Sequence, residues 1–333
     1  MENKNKKIKT LLTFIIALVL LFVLIIYSMK TGSLEITFRQ ILRGLFVEYD
    51  QDVATIYDLR FPRIVISVIA GAALAVSGVL LQAVMKNPLT DPGIIGISSA
   101  ASLTASIIAM VYPKLYFSIP ALSILGGLLA YFLIYSLAWD GGTNPVRLIL
   151  VGVALNMTFI GIGEVISSMN GGDLTKVQSI IEGNVAQKTW SDVKLIAIYG
   201  VLGIIAALFT IRTCNLLSLE DKTAKSLGVN VNRDRFIVAF IAIILASATT
   251  AVVGVIGFLG LIVPHIVRIL LGSNHKTLIP FSIILGSILF LLSDTMGRVI
   301  AYPYEVRPAI IMTILGGPFF ILLLKIGGKN YGN

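Results

Sequence analysis

Residues 59–100 read LRFPRIVISVIAGAALAVSGVLLQAVMKNPLTDPGIIGISSA, a long apolar run followed by a break that contains two prolines. Helices in lipid associate through close packing of small residues, because burying apolar surface gains little there. The run therefore predicts a membrane-spanning helix that its neighbours approach closely. Pro62, between Arg60 and Arg63, predicts the N-terminal boundary of that helix. Small residues recur along the run, among them Gly71, Ala72, Ala75, Ser77 and Gly78.

The composition of the whole chain indicates the same lipid solvent. Of 333 residues, 56% are hydrophobic and only 13% are charged, whereas soluble domains carry about 25% charged residues. Backbone groups in lipid must be paired within helices or closed barrels, and long runs without period-two alternation favour helices. The net charge of +9 arises from basic residues between the runs, where headgroups of the lipid bilayer explain them, so no nucleic-acid partner is predicted.

The pattern of apolar runs predicts ten transmembrane helices in one all-α integral membrane domain, 1–333. The first run, 11–29, is interpreted as a retained helix, since it is long enough to span and no small-x-small cleavage site follows. An even number of spans places both termini on one side, and the loop charges favour the cytoplasmic side. The predicted spans are about 11–29, 62–85, 94–112, 115–138, 146–168, 193–211, 236–257, 258–271, 278–297 and 308–326.

Two segments outside the spans have a pattern of their own. Segment 30–61 contains ITFRQILRGLF, which is typical of an amphipathic interfacial helix. Segment 212–235 alternates charged and apolar residues at near-helical spacing, and Gly228 is suited to end a helix. The pattern of 212–235 leaves open whether it is a surface helix or a docking helix on the cytoplasmic face.

The sequence lacks the common motifs of catalysis. No Walker A pattern, CxxC or HExxH is present, and the chain has two histidines, so neither a catalytic residue nor a metal site is predicted. Charges inside spans are the usual place to look for ion coupling. Glu164, Asp294 and Arg298 all lie near span ends, and the last two are spaced to pair on one helical face. This pattern disfavours an ion-coupled secondary transporter, a membrane-bound enzyme or a receptor, but leaves the first of them open.

Several motifs together resemble the FecCD-type permeases, the membrane subunits of importers for ferric siderophores, haem and cobalamin. The match begins with R-x-P-R at Arg60, G-A-x-L-A-x-S-G-x-x-x-Q at Gly71 and N-P-L-x-x-P-x-x-x-G at Asn87. It extends from about residue 55 to 325 in the order of that family. The later matching segments are Leu150–Leu155, Ala224 with Leu227–Val229, Gly257–Arg268, Asp294 with Arg298, and Gly316–Phe320.

This resemblance implies a cobalamin-importer-permease-like fold, that of a type II ABC importer, in the cell membrane. The implied partners are ABC ATPase subunits, an extracytoplasmic substrate-binding protein and a second permease copy or paralogue. ATP and Mg would be bound by the ATPase, so no cofactor is expected in this chain. The implied cargo is an iron chelate, either a ferric siderophore or haem, with cobalamin as the alternative within the same family.

The resemblance also implies roles for particular residues. The resemblance implies that Arg60, Arg63 and Arg298 dock the binding protein. Arg307 is an additional arginine at a position where this sequence departs from the family pattern. Coupling to the ATPase falls on Glu220, Ala224, Lys225, Leu227 and Gly228. A cytoplasmic gate falls on Asn87 and Leu89, together with Thr143 and Asn144 of the 4–5 loop.

Overall fold

The computed structural model of the chain describes residues 2–31, 39–40, 43–44, 50–138, 145–169 and 183–327. Within these ranges the regular secondary structure is helical, and no strand is found. The interfacial helix predicted inside 30–61 lies largely outside the described residues, as do Thr143 and Asn144.

The described helices are numbered α1 to α12 along the chain. The short ones are α7 (Ile211–Leu217) and α8 (Asp221–Ser226), and a 3-10 helix spans Pro113–Ser118. The long ones are α1 (Glu2–Lys30), α2 (Gln51–Met85), α3 (Ile97–Val111), α4 (Ile119–Ala138), α5 (Pro145–Met169), α6 (Trp190–Phe209), α9 (Val231–Val253), α10 (Leu259–Leu271), α11 (His275–Val299) and α12 (Pro308–Gly327).

Length and apolar composition identify the helices that can cross a membrane. Among the described residues, seven helices satisfy both criteria, and each overlaps one of the predicted spans. Three further apolar helices are shorter, at Ile97–Val111, Leu259–Leu271 and Pro308–Leu323. The prediction of an all-helical, multi-pass membrane protein is therefore confirmed.

The central element is α2, which packs against α6, α9, α10 and α11. Its glycines lie at two close helix crossings. A Cβ atom on Gly71 would collide with the carbonyl oxygen of Gly286 in α11, and one on Gly78 would collide with the backbone of Gly260 in α10. The crossings confirm the prediction that the small residues of this run allow close approach.

The start of α2 differs from the prediction. The helix begins at Gln51, and Asp50 Oδ1 accepts hydrogen bonds from the amides of Asp52 at 2.9 Å and Val53 at 3.2 Å, so Pro62 lies inside the helix. Proline removes one hydrogen-bond donor, a loss that helices inside membrane proteins tolerate. The extra turns are held by Val53 and Ile56, which are buried against Met29 of α1.

Candidate functional site

At one end of the bundle, four charged side chains form a group that we call the charged cluster: Arg63, Asp294, Arg298 and Glu305. Arg63 Nε lies 2.8 Å from Asp294 Oδ1, and its NH1 lies 2.7 Å from Glu305 Oε2. Arg298 Nε lies 3.6 Å from Asp294 Oδ2, which confirms the predicted pairing along α11. The Asp294 side chain is 0% exposed, so its buried carboxylate lies between two guanidinium groups, and Glu305 supplies the second negative charge of the cluster.

The charged cluster also fixes the end of α1. Arg298 NH1 donates to the carbonyl oxygens of Ser28 at 3.1 Å and Thr31 at 2.8 Å, and NH2 donates to Ser28 Oγ. Arg60 NH1 donates to the Met29 carbonyl oxygen at 3.0 Å. Carbonyl groups at a helix C-terminus lack partners within the helix and carry partial negative charge, so cations are favoured there. Two arginines thus join α1 to α2 and α11.

The four arginines predicted to dock a binding protein differ in exposure. Arg63 and Arg298 are each 7% exposed and contact residues of their own chain, which leaves little of either guanidinium for a partner. Arg60 and Arg307 are partly exposed, and Arg307 lies just before α12.

At the opposite end of α2, about 35 Å from Arg63 by the rise of an α-helix, the chain enters residues 86–96, which we call the connecting loop. Lys86 terminates α2 in the left-handed region, with φ of 49°. Asn87 Oδ1 accepts a hydrogen bond from the amide of Leu89 at 2.9 Å, which makes a local turn. Both predicted gate residues that the structure describes, Asn87 and Leu89, are partly buried in this turn.

The middle of the connecting loop is anchored by Asp91, which is fully buried. Its Oδ1 accepts hydrogen bonds from the amides of Gly93 at 2.8 Å and Ile94 at 3.1 Å. Burial raises the pKa of the Asp91 carboxyl to about 6, although these amide hydrogen bonds lower it. Gly93 lies against Gly257, in the irregular segment 254–258 between α9 and α10.

The last part of the connecting loop contacts α5. Gly96, with φ of +89°, lies against the backbone of Asn156, and Ile95 lies against Gly152. Ser99 Oγ, in the first turn of α3, forms a hydrogen bond with Asn156 Oδ1. The connecting loop therefore contacts both the break before α10 and the middle of α5.

The predicted segment 212–235 contains the rest of α7, all of α8 and the start of α9. The amide of Gly228 donates to the carbonyl of Lys225 at 2.9 Å, and the amide of Val229 donates to that of Ala224 at 3.2 Å. With φ of +81° at Gly228, this pair of bonds is a Schellman motif, so the predicted helix stop is present.

The residues predicted to couple to an ATPase face different ways. Ala224 is buried within the chain, at 1% exposure, and is not available for contact with a partner. Glu220, Lys225 and Gly228 are exposed, and Leu227 presents 61% of its surface.

Replacing Gly228 with alanine is expected to destabilise the end of α8, because the left-handed conformation costs a residue with a Cβ about 1–2 kcal/mol. Asparagine tolerates this conformation, so Gly228→Asn is the matched control. Amide hydrogen exchange in detergent should show faster exchange of residues 224–229 in Gly228→Ala than in Gly228→Asn. Equal exchange in the two variants would contradict this reading of the motif.

Lys86 links the connecting loop to α8. Its Nζ donates to the carbonyl oxygen of Leu219 and, at 2.7 Å, to Asp221 Oδ1. Arg235 of α9 donates from NH2 to the same Asp221 oxygen at 2.8 Å. None of Lys86, Asp221 and Arg235 was assigned a role by the sequence motifs, because the first two are 135 positions apart. One signal for a role of Lys86 was its place at a helix end, where glycine is usual.

Three comparisons relate the chain to known proteins. The model of the FecCD transport family matches residues 20–325. A curated relative from Staphylococcus aureus (strain MSSA476), named "Probable heme-iron transport system permease protein IsdF", is 41% identical over 330 residues, which is 99% of each chain. The protein of strain Newman with the same name is also 41% identical over 330 residues.

Two solved structures have a similar fold. One, described as an inward-facing conformation of a metal-chelate type ABC transporter, superimposes with a TM-score of 0.78 and 28% identity, covering 93% of this chain and 97% of that one. The other, PsaBC from Streptococcus pneumoniae in complex with Fab, has a TM-score of 0.60 and 17% identity, covering 86% of this chain and 95% of that one. The second similarity concerns the fold alone.

Proposed function

Since the chain belongs to the FecCD transport family, as its sequence motifs indicated, we propose that it is the membrane-spanning permease subunit of an ATP-driven ABC importer that moves an iron chelate into the cytoplasm. The observation that carries the proposal is the 41% identity, along 99% of both chains, to a relative named for heme-iron transport. The solved structure with a TM-score of 0.78 is described as metal-chelate type, which supports the same cargo class.

The proposed arrangement in the membrane has ten spans and both termini in the cytoplasm. Seven long apolar helices and three shorter ones support this count. The connecting loop and α8 then face the cytoplasm, and the charged cluster lies toward the outer side. This orientation is supported by the basic residues of the N-terminus and of segment 212–235.

The partners of the subunit are assigned to these two ends. ATPase subunits, which bind and hydrolyse the ATP, contact the exposed surface of α8 through Glu220, Lys225 and Leu227. An extracytoplasmic binding protein delivers the cargo and docks at Arg60 and Arg307, the two arginines that are partly exposed. Charged pairs at such a rim increase the rate of docking more than its affinity.

The charged cluster serves a different role from docking. Because Arg63 and Arg298 both surround the buried Asp294, they join α1, α2 and α11 into a unit that moves as one body when ATP binding changes the conformation. The connecting loop, with Asn87 and Leu89, closes the cytoplasmic side between substrate passages.

The test of this function is uptake by proteoliposomes that contain the permease, its ATPase and the binding protein. We expect haem to enter only when ATP is enclosed with the ATPase, and an ionophore to leave the uptake unchanged. A panel of ferric siderophores and cobalamin, each offered with the same components, identifies the cargo.

Three outcomes would overturn the proposal or one part of it. Uptake that stops with the ionophore while ATP is intact would indicate an ion-coupled secondary transporter. Uptake of cobalamin alone would keep the importer but replace the iron chelate as its cargo. ATPase that fails to associate with the permease would contradict the assignment of α8.

A further inference from the structure

We propose that Lys86 is a positioning residue that fastens the connecting loop to α8, so that a displacement of α8 by the ATPase is transmitted to the loop. The inference rests on the proposed function and adds to it the residue that links the ATP-driven surface to the closing element. Asp221 and Arg235 complete this link, which we call the Lys86 bridge.

The Lys86 bridge joins three separate elements through a single carboxylate. Lys86 at the end of α2 and Arg235 in α9 both contact Asp221 Oδ1, at 2.7 and 2.8 Å. Lys86 also binds the Leu219 carbonyl oxygen, so it holds both the approach to α8 and its first residue. Because the Lys86 ammonium donates to two acceptors, it fixes the position of α8 relative to the loop better than a single ion pair would.

The left-handed backbone conformation of Lys86 indicates that its side chain has a structural role at this position. Residues that end a helix in the left-handed conformation are usually glycine, because a Cβ is strained there. Lys86 takes this conformation with φ of 49° and ψ of 36°. The strain is tolerated at a position from which the side chain reaches α8 directly out of the connecting loop.

Electrostatics keep the Lys86 bridge closed at neutral pH. The hydrogen bond from Lys86, with the nearby charge of Arg235, holds the pKa of Asp221 below its ordinary value, so the carboxylate is ionised. The Lys86 and Asp221 side chains are 31% and 44% exposed, and exposed ion pairs contribute little to stability. The bridge therefore determines where α8 and the loop lie without being needed for folding.

A movement that enters at Lys86 has a route into the bundle. The next residues of the loop are Asn87 and Leu89, and beyond them Asp91 and Gly93 are packed against the break before α10. Gly96 then abuts α5. Both contacts are tight and mostly between backbone atoms, so a displacement of α8 that reaches the loop through the bridge moves the loop as a packed segment.

The experiment measures haem taken up per ATP hydrolysed in the same proteoliposomes, together with the thermal unfolding midpoint in detergent. Lys86→Gly removes the bridge and relieves the strain of the left-handed backbone. We expect its midpoint to be unchanged or higher while haem uptake per ATP falls at least about fivefold, the lower range for coupling between sites. Lys86→Arg should retain the wild-type ratio, because arginine can reach both acceptors.

Two further variants separate the bridge from a general loss of charge. Asp221→Ala removes the acceptor that Lys86 and Arg235 share and should lower the ratio as Lys86→Gly does. Arg233→Ala is the matched control, since Arg233 lies two positions from Arg235, is 72% exposed and pairs with the adjacent Asp234. It should leave both the ratio and the midpoint unchanged.

The outcomes distinguish the inference from the function it rests on. A wild-type ratio in Lys86→Gly would overturn the inference while leaving the importer in place. A lower midpoint in Lys86→Gly that accounts for its lost uptake would also overturn it, because the residue would then act through folding. Wild-type protein without ATP-dependent uptake of any cargo tested would overturn the proposed function, and the inference with it.

Discussion

Replacing Asp294 with asparagine will lower the free energy of unfolding by about 3–5 kcal/mol, the cost of leaving a buried charge without its partner. Asparagine has nearly the same shape, so the change removes the charge and little packing. Arg63 and Arg298 would then face each other without the carboxylate that lies between them. The measurement is the denaturant dependence of helix content in mixed micelles.

Glu305→Gln is the matched control for this prediction. Glu305 contacts the same Arg63 at 2.7 Å, but its side chain is 47% exposed. Exposed pairs contribute about 0–1 kcal/mol, so this variant should remain close to the wild type. In a double-mutant cycle, Asp294→Asn should cost less once Arg298 is glutamine, since residues of one ion-pair network are not additive. Equal costs in both backgrounds would contradict the charged cluster as described.

The second large effect is expected at the crossing of α2 and α10. Replacing Gly78 with leucine places side-chain atoms where the backbone of Gly260 lies. Overpacking of this kind costs about 1–3 kcal/mol and occasionally more. The cost is high here because the backbone of Gly260 cannot adopt another rotamer, as a flexible side chain would. We expect the variant to reach membranes in greatly reduced amount and to aggregate on extraction in mild detergent.

Gly161→Ala in α5 is the control for the crossing. A Cβ at Gly161 would have nothing within 4 Å, and alanine is favoured over glycine in a helix by about 0.5–1 kcal/mol. This variant should be as abundant and monodisperse as the wild type in size-exclusion chromatography. If Gly78→Leu elutes like Gly161→Ala, the two helices are not in contact at this position.

The sequence predicted features that depend on local spacing. Arg298 follows Asp294 by four positions, so their pairing follows from helix geometry, and Gly228 ends a helix because of its own backbone freedom. The glycines of α2 predicted close neighbours, although not that these neighbours would themselves be Gly286 and Gly260. For Arg298 and Gly228 the physical cause lies within a few residues of the residue itself, whereas the neighbours of the α2 glycines are distant in sequence.

The features that sequence reasoning missed depend on distant partners. Pro62 suited a helix start, but Asp50 caps the helix twelve positions earlier. Arg63 was expected to face outward, yet it meets Asp294, which is 231 positions away. Ala224 lies on a helix with two faces, and only packing decides which of them is buried. Lys86 and Asp221 meet because α2 ends at the level of the bundle where α8 begins.

The paired glycines of α2 have a consequence for how proteins of this kind diverge. Because α2 cannot accept even a methyl group at Gly71 or Gly78, a substitution at either position would require a simultaneous change in the neighbouring helix. Adaptation to a cargo of another size must therefore begin elsewhere. At Gly161 of α5 and Gly317 of α12 an added side chain would meet open space. Single substitutions at these two positions would need no compensating change in a neighbouring helix.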